Sequence, residues 1–304
     1  MLGTEAISIS SSESGRRELA DWLVSETNPL TSRVFVNRVW HWMFGSGIVD
    51  SVDNFGTTGQ SPSNLALLDH LASRFQANGW SLKTLIKEIV ASRSYQLAST
   101  YDKNNFEFDP ANDLVWRMSP RRLDAECIRD AMLAVAGDVQ LQPPVGSVIA
   151  QRGDAGIGGY PIKSMRAPLS DDLFLSANTK YRSVYLPIPR NAVPEALSVF
   201  DFAEPNTVAG SREVTTVPSQ ALFLLNNEFV GESARRFAER LSKVDPSDRI
   251  DNAFRIAYSR LPSSSEIKAV STFFDDFPNR EDEAAAWISF CRAILSGAEF
   301  RSLD

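Results

Sequence analysis

Apolar residues recur at helical spacing along most of this chain, and this periodicity restricts the possible folds more than any other feature. Near the start, Leu19, Trp22 and Leu23 lie at positions i, i+3 and i+4. Residues with this spacing share one face of an α-helix, whereas a strand needs apolar residues at every second position. The sequence therefore predicts a mainly α protein that folds as a compact multi-helix domain.

The predicted helices start and break at residues that are typical of helix boundaries. Three candidate starts place proline at the first helical position behind a capping side chain: Asn28-Pro29, Ser61-Pro62 and Ser119-Pro120. Pro218 opens another long helix in the same manner. We expect Asn226-Asn227 to break that helix, because asparagine favours caps over helix interiors.

The composition is that of a globular protein, and it argues against several classes of partner. Of the 304 residues, 43% are hydrophobic and 23% are charged, which argues against a disordered chain. The net charge is −7, so no nucleic-acid partner is expected, since an acidic chain repels phosphate groups. No apolar run approaches the roughly 18 residues that a membrane helix requires, so no membrane span is expected.

The cysteines and histidines form no recognisable metal or redox motif. Cys127 and Cys291 lie far apart in the chain, and the two histidines do not form a zinc-binding HExxH pattern. The sequence therefore predicts no metal site and no cofactor. Cys127 lies on the apolar stripe of the helix that is expected after Ser119, so we expect it to pack in the core.

One domain is expected over residues 15–304, after a serine-rich linker or disordered N-terminus at residues 1–14. Residues 138–182 predict a long irregular loop, since they are rich in glycine, proline and polar residues. A loop of this length in a compact domain is usually functional or disordered. The run Ser183–Leu186 predicts the small β element of the fold, paired with a possible strand at Gly146–Ile149.

Two regions of the chain resemble each other. Ile86–Tyr95 aligns with Cys291–Phe300, and the helices that precede these stretches recur in the same order. We hypothesise that residues 33–97 and 250–302 are two copies of one three-helix unit. The alternative stays open, because unrelated amphipathic helices align about as well.

A first group of candidate site residues lies on one stripe of the helix after Pro29. Arg33, Asn37 and His41 follow each other at four-residue spacing, with Arg38 adjacent. A histidine here could act as an acid or base at neutral pH, and its neighbours could orient it or bind an anion. Alternatively, these polar residues cap neighbouring segments.

A second group crowds the helix after Ser119, where Arg121 and Arg122 are followed by Glu126, Arg129 and Asp130. Two carboxylates one turn apart could bind a divalent cation or divide acid and base roles between them. A network of salt bridges is the alternative.

A third group flanks the predicted strand: Arg182, Arg190, Asp201, Asn206 and Arg212. Guanidinium groups bind sulfate and carboxylate groups with two hydrogen bonds, so three arginines here suit an acidic sugar. The alternative is that they hold an irregular segment on the helical body.

Several short motifs in a fixed order resemble those of the planctomycete PSD domain family, over roughly residues 15 to 304. The motifs are Asn28–Trp40, Phe44–Val49, Asn54–Gly56, Gly79–Lys83, Ile89–Tyr95, Arg121–Glu126, Ile128–Asp130, Arg182–Leu186, Phe200-Asp201, Thr215–Leu222 and Leu225-Asn226. One residue departs from the pattern, since Asn54 stands where the family usually has aspartate.

The resemblance implies a function class and a location. The family has no settled activity, and its members are typically C-terminal modules of exported proteins that also carry a cytochrome c-like domain. We therefore expect a periplasmic or cell-surface module whose partners are other domains of the parent protein. The predicted function is a non-catalytic binding or scaffold module that docks partner domains or an acidic or sulfated polysaccharide. The alternative is a polysaccharide hydrolase or lyase that uses Glu126 or Asp130 with His41.

Overall fold

The computed structural model describes Ile9, residues 11–145, residues 180–186, Ile188, and residues 193–278 and 282–303. Within these ranges the protein is mainly helical, as predicted, with twelve α-helices and one small two-stranded antiparallel sheet. None of the helices in this part of the chain has the length and apolar character needed to cross a membrane.

The first of two compact units covers the described residues up to Arg121 together with Ala209–Ser211. Its helices are α1 (Arg16–Leu23), α2 (Thr31–Phe44), α3 (Leu65–Ala77), α4 (Leu82–Val90) and α5 (Lys103–Phe108). Helix α2 packs against α3, and α3 packs against α4. The buried core between them includes Val36, Val39, Leu68, Phe75, Leu85 and Ile89.

The second unit covers the described residues from Arg122 onward, apart from Ala209–Ser211. Its helices are α6 (Ala125–Ala136), α7 (Glu195–Ser198), α8 (Pro218–Asn226), α9 (Glu228–Leu241), α10 (Arg249–Tyr258), α11 (Ser264–Asp276) and α12 (Glu283–Ser296). Helix α9 packs against both α12 and α6. Its core includes Val230, Phe237, Leu241, Cys291 and Leu295.

The small sheet pairs β1 (Arg121–Arg122) with β2 (Ser302–Leu303). The described residues also contain three short 3₁₀ helices: Ser183–Tyr185, Pro246–Asp248 and Glu299–Arg301. The expectation of a single domain over residues 15–304 is not tested by the division into two units and stays a prediction.

The predicted boundaries at Pro218 and Asn226-Asn227 are confirmed, whereas the predicted start at Asn28-Pro29 is two residues too early, because α2 begins at Thr31 with Leu30 as its N-cap. The Asn28 side chain accepts hydrogen bonds from the backbone N–H groups of Leu30 and Thr31, at 2.9 and 3.2 Å. Pro218 is at the start of α8, and Asn227 follows the end of that helix. The Asn227 side chain then accepts from the N–H of Phe229, so it caps α9 and produces the expected break.

Two further predicted starts are wrong, because both helices begin further along the chain. Helix α3 begins after Asn64 rather than at Ser61-Pro62, and Asn64 Oδ1 accepts from the N–H of Leu67 at 2.9 Å. Helix α6 begins after Asp124 rather than at Ser119-Pro120. The intervening residues form β1, which pairs with β2.

The prediction of a strand at Ser183–Leu186 is wrong, since Ser183–Tyr185 is a 3₁₀ turn. The turn forms because Asp130 accepts hydrogen bonds from both the N–H and the hydroxyl of Ser183, each at 2.7 Å. The only β pairing nearby in the described residues is an isolated bridge between Gln140 and Tyr181. The possible partner strand Gly146–Ile149 lies outside the described residues, as does most of the loop predicted at 138–182.

The predicted buried face of α6 is partly wrong. Cys127 is exposed, whereas Arg129, one position from the expected stripe, is only 3% exposed. Ile128 and Met132 are buried as predicted. The rotation of the helix therefore brings a guanidinium group, rather than a thiol, into the core.

A loop at residues 109–119 of the first unit is held by two side chains that bind backbone groups. The buried Asp109 accepts from the N–H groups of Asp113 and Leu114, at 3.0 and 2.8 Å. Asn112 Oδ1 accepts from the N–H groups of Trp116 and Arg117, and its Nδ2 donates to Arg117 O and Ser119 Oγ.

Backbone strain accompanies this loop. Val115 has φ of 53° and Asn112 has φ of 59°. A β-branched residue in the left-handed region is a genuine outlier, and it persists only where the surrounding structure determines the conformation.

The proposed duplication stays a prediction. Residues 33–97 and 250–302 each contain three helices in the same chain order. The strongest pairings differ, however, since α2 packs mainly on α3, whereas α12 packs mainly on α9, which lies outside the second copy. This difference counts against the hypothesis.

Candidate functional site

The carboxylate of Glu126 on α6 is bound by Arg212. The Arg212 guanidinium donates two hydrogen bonds to the two oxygens of Glu126, at 2.5 and 2.9 Å. The same guanidinium lies 5.3 Å from the ring of Phe202. Hydrogen bonding to Glu126 raises the pKa of Arg212 above its ordinary value. These two predicted site residues therefore form a salt bridge with each other.

Asp130, one turn further along α6, is also occupied. Besides the two hydrogen bonds from Ser183, it receives one from Arg182 Nε at 3.3 Å. Its backbone neighbour Arg129 donates to Tyr181 O at 2.9 Å and to Ser183 Oγ at 3.2 Å. The pair of charged residues thus fastens residues 181–183 to the helix.

Arg129 belongs to the charged group that the sequence predicts on this helix, but it is buried rather than part of an exposed charged face. Burial lowers the pKa of Arg129 to about 10, and the neighbouring Asp130 carboxylate opposes this shift. A pKa of about 10 leaves the guanidinium charged at neutral pH. Arg129 lies beside the apolar stripe of α6, so the helical periodicity does not predict that it is buried. Its partner Tyr181 is 52 positions away in the chain and gives no local signal either.

Arg122 and Asp201, two predicted site residues, form a largely buried ion pair. Arg122 Nη2 lies 2.6 Å from Asp201 Oδ2, and the two side chains are 12% and 17% exposed. Arg122 also donates to Thr215 O and Phe200 O, at 2.6 and 3.2 Å. Thr215 in turn donates its N–H and hydroxyl to the Asp201 carboxylate. This arrangement closes the segment between residues 201 and 215 on itself.

Hydrogen bonding determines the charge state of Asp201. Burial alone would raise its pKa, but the hydrogen bonds from Thr215 and Arg122 outweigh burial and hold the pKa below its ordinary value. Asp201 also has φ of 60°, in the left-handed region. The buried Gln220 of α8 donates to Thr215 O at 3.1 Å and extends the network into that helix.

Asn37 of the first unit is fully buried and binds backbone only. Its Nδ2 donates to Val49 O at 2.9 Å, and its Oδ1 accepts from the Val49 N–H at 2.8 Å. A Cβ at position 47 would lie 2.9 Å from Asn37 Nδ2, so this close approach requires Gly47. Asn37 therefore fixes the turn after α2, as the capping alternative predicted.

Three predicted site arginines bind groups within the first unit: Arg33 and Arg38 on α2, and Arg121 on β1. Arg33 Nε lies 2.6 Å from Asp69 Oδ1, and its Nη1 donates to Pro29 O. Arg38 Nη2 lies 3.2 Å from Asp53 Oδ1. Arg121 donates to Trp42 O at 2.5 Å. These contacts again match the structural alternative.

His41 lies on α2 in the first unit, whereas Glu126 and Asp130 lie on α6 in the second. The combination of His41 with these carboxylates therefore stays a prediction. Asn206 is exposed, and its Nδ2 donates to Glu204 Oε1 at 2.8 Å. Arg190 lies outside the described residues.

Nothing in the described residues brings three histidine, cysteine or carboxylate side chains together in a way that could hold a metal ion. Partial burial of the Cys127 thiol raises its pKa, and the carboxylates of Asp124 and Glu126 raise it further. A raised pKa lowers the thiolate fraction, so this exposed cysteine is a weak nucleophile at neutral pH.

Position 54 departs from the aspartate that the resemblance implies, and the amide has a defined role there. Asn54 Nδ2 donates to Thr58 Oγ1 at 3.1 Å, and its Oδ1 accepts from the Gly56 N–H. A carboxylate could accept the second hydrogen bond but could not donate the first.

Comparisons with curated proteins and with solved structures found no match. A family model, in contrast, matches residues 15–274, which is most of the chain. The matched range includes helices α2 and α6, which carry Arg33, Glu126 and Asp130. The chain belongs to the PSD1 family, a protein family of unknown function (DUF1553).

Proposed function

We propose that this chain is a non-catalytic docking module of an exported multidomain protein, and that it binds a partner domain of the same parent protein. One observation supports this proposal above the others. Leu222 and Leu225 on α8 are 60% and 54% exposed, although their spacing in the sequence predicts a buried face. Residues three apart lie on the same face of a helix, so the two leucines form an adjacent apolar pair.

The surroundings of α8 favour a protein partner. Val217, which precedes the helix, is 40% exposed, and Val214 is 66% exposed. The opposite face of α8 is fixed in the core through the buried Phe223. Exposed apolar side chains that sit together on a rigid element are typical of protein interaction sites.

An acidic or sulfated polysaccharide is the less favoured ligand within this proposal. Arg212 already donates two hydrogen bonds to Glu126, and Arg182 donates to Asp130. A sulfate group would have to compete with these internal carboxylates. Exposed pairs of this kind are weak, about 0–1 kcal/mol, so the competition is possible but gains little.

The hydrolase or lyase alternative receives no support from the geometry. Glu126 and Asp130 both bind arginine, and Asp130 also accepts two hydrogen bonds from Ser183. A general acid needs a raised pKa, which burial without a cationic partner provides. Both carboxylates have cationic partners instead.

The test is to titrate the purified chain with the remaining domains of the parent protein, starting with the cytochrome c-like domain, in a calorimeter. Leu222→Asp should weaken association at least tenfold, because it places a charge in the apolar contact. Leu261→Asp is the matched control: Leu261 is also about half exposed in the second unit, but it belongs to the loop between α10 and α11 rather than to α8, so its effect should stay within twofold.

Two outcomes would overturn the docking proposal. One is that none of the parent domains associates with the wild-type chain. The other is that a sulfated oligosaccharide binds, and that Arg182→Ala and Arg212→Ala abolish this binding while Leu222→Asp does not. The second outcome would establish the polysaccharide reading in its place.

A further inference from the structure

The first unit contains a cavity of about 180 Å³ that no predicted site residue lines. Its apolar lining comes from the buried Trp40, Phe44 and Ile48, with Leu67 of α3. Trp40 and Phe44 are stacked on each other, with ring centroids 4.1 Å apart. Drug-sized ligands occupy about 300–1,000 Å³, so this cavity suits one small ring.

Polar groups without partners surround the apolar lining. Ser46, Ser94 and Asp113 line the cavity, are exposed, and make no side-chain hydrogen bond within the described part of the chain. Asn64 uses Oδ1 to cap α3, and its Nδ2 has no partner among the described residues. Two hydroxyls, an amide donor and a carboxylate acceptor are therefore available at one site.

The charge of the cavity limits the ligand. Among the described residues that line it, Asp113 is the only charged one, and none is a lysine or arginine. An anionic ligand would meet the carboxylate without a compensating cation, so the site disfavours acidic sugars and phosphates. A neutral ligand with hydroxyl groups can instead donate to Asp113 and accept from Ser46 and Ser94.

The loop that carries Asp113 contains backbone strain. Asp109 and Asn112 bind the backbone of this loop, and their contacts hold Val115, which also lines the cavity, in the left-handed region. Strained residues of this kind cluster at ligand sites, where the surrounding structure fixes them. The loop therefore presents Asp113 and Val115 to the cavity in one fixed conformation.

We propose that this cavity binds one neutral sugar ring, with Asp113 accepting hydrogen bonds from its hydroxyl groups. The apolar C–H surface of a sugar ring matches the aromatic and aliphatic lining, and its hydroxyl groups match the unpaired polar groups at the mouth. The site uses residues of the first unit only, so it is independent of the docking surface on α8.

The experiment is ligand-observed saturation-transfer NMR on the full chain, followed by calorimetric titration with neutral hexoses at millimolar concentrations. Asp113→Ala should weaken hexose binding at least fivefold. The Asp113 side chain has no hydrogen-bond partner in the part of the chain that the structure describes, so the variant should unfold at the same urea concentration as the wild type. Asp50→Asn is the matched control, since Asp50 is exposed in the same unit but does not line the cavity, and it should bind as the wild type does.

Three results would overturn the proposal. The first is that no neutral hexose shows saturation transfer. The second is that a uronic acid binds as tightly as the matching neutral hexose, which would contradict the role of the Asp113 charge. The third is that a small alkylamine binds and that no neutral hexose displaces it, which would make the cavity a cation site. If Leu222→Asp loses binding of the partner domain, that result concerns the docking surface and not this cavity, because Leu222 belongs to the second unit.

Discussion

The two units hold their irregular segments by different means. In the second unit, the charged pair Arg122–Asp201 closes the segment that leads to Thr215. In the first unit, Asp109 and Asn112 hold the loop at 109–119 by binding backbone groups a few residues away. In the second unit, the charged residues that were predicted to bind a ligand are bound to each other instead. In the first unit, the local contacts leave the side chains at the mouth of the cavity without partners among the described residues.

The largest effect is expected from removing the charged partner in the second unit. Arg122→Met leaves the Asp201 carboxylate buried without this cation, and it removes one of the two donors to Thr215 O. Breaking a buried pair in this way costs about 3–5 kcal/mol, and we expect about 3 kcal/mol because both side chains keep some exposure. Urea denaturation measures the change in the free energy of unfolding.

Arg182→Met is the matched control for this prediction. Arg182 also pairs with an aspartate in the second unit, but its side chain is 52% exposed. Its replacement should change the free energy of unfolding by less than about 1 kcal/mol. Equal losses in the two variants would contradict the claim that burial makes the Arg122 pair the main tie of its segment.

The second prediction concerns the local tie of the first unit. Asn112→Ala removes hydrogen bonds to Trp116, Arg117 and Ser119 and places alanine in the left-handed region, which asparagine tolerates better. We expect a loss of about 2 kcal/mol in the free energy of unfolding. Asn105→Ala, on the exposed face of α5, should change it by less than about 0.5 kcal/mol. A neutral Asn112→Ala would show that the loop is held by other contacts.

The third prediction tests the strain at Val115. Val115→Gly and Val115→Ala both remove the β-branched side chain, but only glycine relieves the left-handed conformation. The glycine variant should therefore be more stable than the alanine variant by about 1 kcal/mol, measured by urea denaturation. At an ordinary backbone position the order is the reverse, so a more stable alanine variant would refute the strain.

The smallest effect is a pH dependence in the second unit. Hydrogen bonds from Arg260 and Ser263 lower the pKa of Glu266 from 4.5 to about 2. A lowered pKa in the folded state stabilises the protein above the unfolded value, and this stabilisation disappears as the pH falls from about 4.5 to about 2. Because both side chains are about one-third exposed, we expect less than about 1 kcal/mol.

Glu266→Gln should reduce the loss of stability over this pH range, as followed by thermal unfolding at several pH values. Glu228→Gln, which changes an exposed glutamate at the start of α9, serves as the control and should leave the pH profile as it is in the wild type. Identical profiles for both variants would contradict the role of the Arg260 pair.

Local sequence signals predicted the features that depend on neighbouring residues. The break at Asn226-Asn227 followed from the capping preference of asparagine, and Asn28 does accept from the N–H of Leu30, although α2 begins two residues later than predicted. The contacts of the predicted site were not predictable, because their partners lie far along the chain. Arg212 and Glu126 are 86 positions apart, and no periodicity relates them.

The wrong predictions have the same cause, since the contacts that decide them also lie far along the chain. Ser183–Leu186 has the composition of a strand, but the carboxylate of Asp130, 53 positions earlier, binds Ser183 and turns the chain. The apolar stripe of α6 predicted a buried Cys127, yet the helix turns Arg129 inward to reach Tyr181. The loop at 109–119 could have been found, since aspartate and asparagine bind backbone N–H groups in turns.

One contact of the first unit also has a consequence for the order in which the protein is made. Gly210 donates its N–H to Asp53 Oδ2 at 2.6 Å, and these two residues are 157 positions apart. Ala209–Ser211 belongs to the first unit, although the residues on both sides of it belong to the second. During translation, the first unit therefore cannot form this contact early. Asp53 lacks its backbone donor until residues 209–211 have been translated, and by then much of the second unit has been translated as well.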